Sequence, residues 1–351
     1  RRGFRVAVCE QMEDPAEARK RGSKAVVHRD VVRLVTPGTL TEESLLDART
    51  RNYLTAVFKA AKGGSEASVA LASLDISTGE FEVGEVPAAD FPGEIVRLAP
   101  GEVIAADTLL ADADLRKWVE IAGASPTPVA AASFDSTAGE RLLKAQLRVA
   151  DLAAFGAFSR AELAAVGALL KYVELTQLGK KPCLRPPRRT GPSNRLVIDA
   201  PTRASLELLR ALSGERQSSL LGVIDRTITG PGARELAARL ASPLRDPDAI
   251  AARLDAVGFL HDSELLREDL RARLRSAPDI ARAMSRLALQ RGSPRDLGAV
   301  RDGLRAAGAC VRLLRKGAGG MGLPDALDRI AARLAACSAD LEAALVRALV
   351  D

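Results

Sequence analysis

Aromatic side chains are scarce: 1 Trp, 2 Tyr and 8 Phe make up 3% of 351 residues. Proteins that grip single-stranded nucleic acid without sequence preference stack bases on aromatic rings, so a platform of that kind is excluded. The four cysteines, Cys9, Cys183, Cys310 and Cys337, lie far apart, and His28 and His261 are the only imidazoles. No C-x-x-C pair or Cys/His spacing suits a structural zinc site. Isolated cysteines of this sort are expected as small buried apolar residues in a reducing compartment. No apolar run reaches membrane-spanning length, and no charged segment followed by a short apolar core opens the chain. A cytoplasmic protein without a membrane partner is therefore expected. Also missing is a phosphate loop, G-x-x-x-x-G-K-[ST], whose amides and lysine would hold a nucleotide. Lys316-Gly-Ala-Gly-Gly-Met-Gly322 is glycine-rich but lacks that ending, and it reads as a loop between two helices.

What is present points to several domains. The length exceeds one ordinary core, so two or three domains are expected. Lys and Arg number 51 against 45 Asp and Glu, a formal net charge of +6. Such a balance suits a polyanionic partner, but both signs run throughout, as on ordinary solvated helices. The chain opens at Arg1 without Met and stops at Asp351 inside an amphipathic helical pattern, so both ends read as cuts within a longer protein.

Three blocks follow one another. Residues 1–60 carry short apolar runs, Val6-Ala-Val-Cys9, Val31-Val-Arg-Leu-Val35 and Tyr53-Leu-Thr-Ala-Val-Phe58, with Thr36-Pro-Gly-Thr39 ending the second and Asp14-Pro15 opening a short helix. This is a small, incomplete mixed α/β piece. Residues 61–178 begin at Lys62-Gly-Gly-Ser65, a linker or hairpin tip. Next come two β-rich runs joined at Ser77-Thr-Gly79, a helix near Pro92 to Leu98, a strand from Glu102 to Ala106, a helix opened by Asp107 and a strand near Thr127 to Ala131. Strands alternate with helices after a hairpin, which predicts an α/β sheet domain. Ser159-x-x-Glu162 is a capping box before the apolar face of Leu163, Val166, Leu170 and Val173. Residues 179–195 hold Pro182, Pro186, Pro187 and Pro192 and read as a linker. Residues 196–351 are all-α: Ser205 to Leu212, Ala233 to Leu240, Asp248 to Leu260, Glu264 to Leu274, Asp279 to Leu289, Arg295 to Leu304 and Ala326 onward are predicted helices. Capping residues at Asp246-Pro247, Ser276-x-x-Asp279 and Ser293-Pro294 mark their starts.

The most informative segment is Leu220 to Asp246: an apolar run, a Thr229-Gly-Pro-Gly232 corner, an amphipathic helix and a second Pro-marked helix start. Together with Ile198-Asp-Ala-Pro-Thr-Arg203 and Pro278 to Leu297, it resembles the core and lever of the MutS family of DNA mismatch repair proteins. Phe4-Arg-Val-Ala-Val-Cys-Glu-Gln11, Glu13-Asp-Pro15 and Val31 to Thr39 resemble the end of that family's mismatch-recognition domain. Leu74-Asp-Ile-Ser-Thr-Gly-Glu-Phe81 resembles the first hairpin of its connector. The resemblance runs the length of the chain in the family's order. It implies a partial mixed α/β domain, a ribonuclease H-like α/β connector and an incomplete helical core/lever domain. It also implies an intact parent that binds duplex DNA with mismatches as a homodimer, uses ATP and Mg to become a sliding clamp, and recruits a MutL-type factor near the nucleoid. The family's mismatch contact is a Phe-x-Glu wedge, and no Phe-x-Glu stands at a matching place here. The alternatives are a MutS paralogue acting in recombination or scaffolding and a ribonuclease H-like metal-dependent nuclease.

Residue by residue, no catalytic, cofactor-binding or metal-ligating group is expected in this chain. Lys20, Arg21, Lys24, Arg29 and Arg33 are the candidates for the DNA backbone, where they would position rather than specify; the alternative is a solvated loop and strand edge. Gly230, Pro231 and Gly232 are candidates for a lever hinge, and also fit a plain helix start. Asp75 sits where ribonuclease H enzymes place a metal-holding carboxylate, with Glu80, Glu102 or Asp107 as possible helpers, but it equally suits a turn cap. Trp118 is expected in the core of the second domain, and Arg234, Arg239 and Arg245 as surface charges or helix partners.

Overall fold

The computed structural model describes residues 3–22, 26–60, 67–191, 195–320 and 322–349. Two compact units emerge: Arg1–Leu46 with Asn52–Thr190, and Asp47–Arg51 with Gly191–Asp351. The expected Lys62-Gly-Gly-Ser65 linker and Lys24 lie outside the described residues.

The first unit opens with β1 (Val6–Gln11) and β2 (Arg29–Val35), an antiparallel ribbon with a register shift at Val8/Cys9. Between them is α1 (Pro15–Lys20), opened as predicted by Asp14, whose side chain accepts from the Ala16 amide. A six-stranded sheet follows: β3 (Leu54–Ala60), β4 (Ser68–Asp75), β5 (Glu80–Pro87), β6 (Glu102–Ala106), β7 (Ser125–Val129) and β8 (Arg188–Arg189), in the order β7-β6-β3-β4-β5-β8. β3, β4 and β5 form an antiparallel meander, while β6 runs parallel to β3 and β7 parallel to β6. A meander extended by two parallel strands on the free side of its first strand is the ribonuclease H-like order.

Helices cover both faces. α2 (Phe91–Leu98), α3 (Asp107–Leu110) and α4 (Ala113–Ile121) lie on the side where Tyr53, Val57, Leu71 and Val103 meet Phe91, Ile95, Leu115 and Val119, with Trp118 partly buried against them. On the alternate residues' side, α6 (Arg160–Gln177) packs over β3 and β4 and against α5 (Ser136–Leu147). Covered on both sides, all eight residues of β4 are buried, so it reads as a continuous apolar run. α5 and α6 approach until a Cβ on Gly139 would stand 1.9 Å from the Leu163 carbonyl oxygen. The Ser159/Glu162 capping box forms at the start of α6.

Four expectations need correction. Tyr53 to Phe58 belongs to the sheet domain, not to a first block ending at residue 60, because β3 pairs along its whole length with β4. Residues 179–195 are not only linker. Arg188 and Arg189 pair parallel with β5, and the adjacent prolines, which cannot donate to a ladder, confine them to the edge. The helix expected over Ser205 to Leu212 instead ends at Ser205: the Asp199 side chain accepts from the Thr202 amide and starts it early, and Glu207 at φ 45° breaks it. Lys316 to Ala318 belong to a helix, so the glycine-rich loop begins only at Gly319.

The second unit is helical: α7 (Ala200–Ser205), α8 (Leu220–Ile224), α9 (Gly230–Ala241), α10 (Pro247–Asp262), α11 (Glu264–Arg275), α12 (Ile280–Ala288), α13 (Pro294–Ala318), α14 (Asp325–Ala335) and α15 (Ala339–Ala348). At 25 residues, α13 spans about 37 Å. Leu266 and Leu270 of α11 meet Cys310 and Leu314 of α13 and Ala331 of α14 in a buried cluster. Capping acceptors at Asp246, Asp279 and Ser293 start α10, α12 and α13.

One carboxylate ties the end of the ribbon to the sheet. Glu102 is fully buried. Its Oε2 accepts from the Gly38 amide at 2.9 Å and from the Thr36 hydroxyl, and its Oε1 from the Thr127 hydroxyl at 2.6 Å and the Tyr172 hydroxyl at 2.7 Å. Burial, together with this negative neighbour, holds the Tyr172 phenol above its ordinary value. Buried charge is tolerated only when its lone pairs are satisfied. Glu102→Ala leaves four buried donors without their acceptor, and at about 1 kcal/mol for each it is expected to lower unfolding free energy by about 4 kcal/mol. Urea denaturation measures the loss, and Glu102→Gln should lose less.

Candidate functional site

The five basic candidates do not share one fate. Lys20, at the end of α1, and Arg29, at the start of β2, are exposed. Arg21 is exposed but pairs with Glu13, whose carboxylate also accepts from the His28 amide; a surface pair of this kind is weak enough to exchange for phosphate. Arg33 leaves the set. It is 6% exposed, its guanidinium is paired with Glu42, and it donates to the Thr39 carbonyl at 3.1 Å. Although burial opposes it, that pairing keeps the Glu42 carboxyl below its ordinary range.

Asp75 is fully buried at the end of β4. It accepts from the Ser77 amide at 2.9 Å, the Ser77 hydroxyl at 2.6 Å and the Asn52 amide at 3.1 Å. It is a turn cap. Glu80 lies 3.9 Å from Arg185, and Glu102 is committed as described. Among the described residues no group of three or more His, Cys, Asp or Glu is arranged to hold a metal ion. A second buried acidic cluster, Glu82 and Glu94 around Arg97, with Arg188 on Glu82 at 2.6 Å, is likewise paired.

The Thr229-Gly-Pro-Gly232 corner has a richer environment than a bare helix start. Thr229 caps α9, its hydroxyl accepting from the Gly232 amide at 3.0 Å. Residues 47–51 turn directly over it: a Cβ on Gly230 would stand 2.6 Å from the Ala48 carbonyl oxygen. Arg234, expected at the surface, is 4% exposed and donates to that same carbonyl at 2.7 Å and to Asp279 at 2.8 Å. Arg282, 3% exposed, donates to the carbonyls of Asp47 and Thr50, each at 3.0 Å. Arg49 reaches Asp225 at 2.7 Å and the Thr227 hydroxyl at 2.8 Å. Arg51 donates to the Arg234 carbonyl at 3.0 Å. Arg239 pairs with Glu235, as expected of a helix partner. Nothing in the sequence near residue 230 signals residues 47–51, because the contact joins positions about 180 apart.

At this corner Gly230 serves close packing. Gly230→Ala is expected to destabilise the helical unit by about 1–3 kcal/mol. Gly298→Ala on α13, where a new Cβ meets nothing within 4 Å, should instead gain up to about 1 kcal/mol from helix propensity. Thermal melts of the two variants check the opposite signs.

Asp225 supplies a pH signature. Burial alone would raise its carboxyl, but the Thr227 hydroxyl and amide and the Arg49 guanidinium lower it to about 2. An unfolded aspartate titrates near about 3.9, so this contribution is complete above about pH 4 and is lost as pH falls toward 2. Acid titration of stability by circular dichroism should show a shallower loss over that window in Asp225→Asn.

Comparison with known proteins follows the same divisions. The family model for MutS domain I matches residues 1–44, that for MutS domain II residues 52–185, and that for MutS domain III residues 201–349. A DNA mismatch repair protein MutS from Rhizobium meliloti (strain 1021) is 50% identical over 347 residues, 99% of this chain and 38% of the relative. One from Azorhizobium caulinodans is 50% identical over 354 residues, 99% of this chain and 37% of the relative. One from Cereibacter sphaeroides (strain ATCC 17025 / ATH 2.4.3) is 54% identical over 309 residues, 88% of this chain and 34% of the relative. The chain thus spans little more than a third of the length of these relatives. Three domain matches in family order, on a ribonuclease H-like sheet followed by a helical unit, establish that the chain belongs to the MutS family.

Proposed function

We propose that this chain supplies the end of the mismatch-recognition domain, the connector and part of the core and lever of a protein that recognises mispaired or looped duplex DNA. The observation that carries this reading is the succession of matches to MutS domains I, II and III in family order, together with relatives named as DNA mismatch repair proteins. The parent couples recognition to ATP-driven clamp formation, acts as a homodimer and hands on to a MutL-type factor in the bacterial cytoplasm, at the nucleoid. ATP and Mg bind elsewhere in the parent, and this chain itself catalyses nothing. No helix among the described residues is long and apolar enough to cross a membrane.

Within this piece Lys20, Arg21 and Arg29 are the DNA-backbone candidates, and they act through charge alone. Binding should therefore be weak, about 10⁻⁴ to 10⁻⁶ M at physiological salt, and steeply salt-dependent. Fluorescence anisotropy with paired and mispaired duplexes is expected to give equal affinities. Alanine at each of the three positions should reduce the salt slope by about one. A strong preference for the mispair contradicts the assignment.

A further inference from the structure

Among the described residues before Gly191, only 47–51 belong to the helical unit. The chain passes into the sheet unit at both ends of the segment, before Asp47 and after Arg51. The MutS domain I match stops at residue 44 and the domain II match starts at 52, so neither covers it.

The helical unit recognises this segment in two ways. Arg234 and Arg282 donate to the carbonyls of Asp47, Ala48 and Thr50, which reads a backbone shape. The shape is a turn, braced by the Asp47 side chain accepting from the Arg49 amide at 2.8 Å. Asp225 and Thr227 read one side chain, the Arg49 guanidinium. Gly230 leaves the space into which the Ala48 carbonyl fits.

The charged groups keep partners whether or not the turn is seated. Arg234 retains Asp279 at 2.8 Å, and Arg282 has the same carboxylate at 3.8 Å. Asp225 retains Arg216 at 3.1 Å and the Thr227 amide at 3.0 Å. Arg49, already part-exposed at 40% of its side chain, passes to water. Each buried charge thus has an oppositely charged neighbour within 3.8 Å outside the turn, which lowers the usual obstacle to opening a buried contact. A contact that can open in this way is a candidate two-state element.

We propose that the helical unit carries a preformed docking site for a turn, that residues 47–51 are its resident occupant, and that Arg49 on Asp225 is the latch by which the turn engages and releases as one piece. The latch is a property of this chain and stands whether or not the parent selects mispaired DNA.

Hydrogen–deuterium exchange on the intact chain tests it. Arg49→Ala should accelerate exchange of the 47–51 amides at least tenfold while α9 and α12 exchange within twofold of the unaltered chain. Gly230→Val, which fills the site from the receptor side, should accelerate the same amides. A labelled peptide of residues 45–53 should bind the Arg49→Ala chain at least tenfold more tightly than the unaltered chain, whose site is occupied. Unchanged exchange of the turn in both variants overturns the proposal. So does equal acceleration of α9 and α12, which reports loosening of the helices, or equal peptide binding to both chains.

Discussion

Burial of charge against hydrogen-bond partners drawn from separate segments is the constraint on which both units depend. In the sheet unit, Glu102 lies with no exposed surface, and neutral donors from the Thr36-Pro-Gly-Thr39 turn, β7 and α6 converge on it. An isolated carboxylate in such a place would be costly. With four donors it becomes the point at which a ribbon, a sheet and a covering helix must all be in register.

The helical unit meets the same constraint with the opposite charge. Arg234 and Arg282 are almost wholly buried; Arg234 donates to the Ala48 carbonyl and to Asp279, the cap of α12, and Arg282 to the carbonyls of Asp47 and Thr50. The carbonyls come from a segment remote in sequence. Residues 47–51, which lie between the ribbon and the sheet in sequence, supply these carbonyls to the helical unit. The Thr229-Gly-Pro-Gly232 corner lies at the point of contact.

Much of the local structure was legible in the sequence because its causes are local. Asp14, Ser159, Asp246 and Ser293 start helices where capping chemistry places them, and Ser77-Thr-Gly79 turns β4 into β5. The errors fall where a distant partner decides. Tyr53 to Phe58 has strand character in any block, but only pairing with β4 assigns it to the sheet. Arg188 and Arg189 look like linker until β5 offers an edge. Arg33 looked like a phosphate contact as part of a basic run, and Arg234 like a surface charge on an amphipathic helix; Glu42 and the Ala48 carbonyl claim them.

The sequence by itself determined the family, the order of an α/β part before an all-α part, and most helix starts, since these follow from motifs and spacings within a few residues. Tertiary structure alone decided which polar side chains are free to meet DNA and which are structural. A charged group's role depends on whether water or a partner completes its hydrogen bonds, and at Glu102, Arg234 and Arg49 the partners come from segments that the sequence keeps well apart.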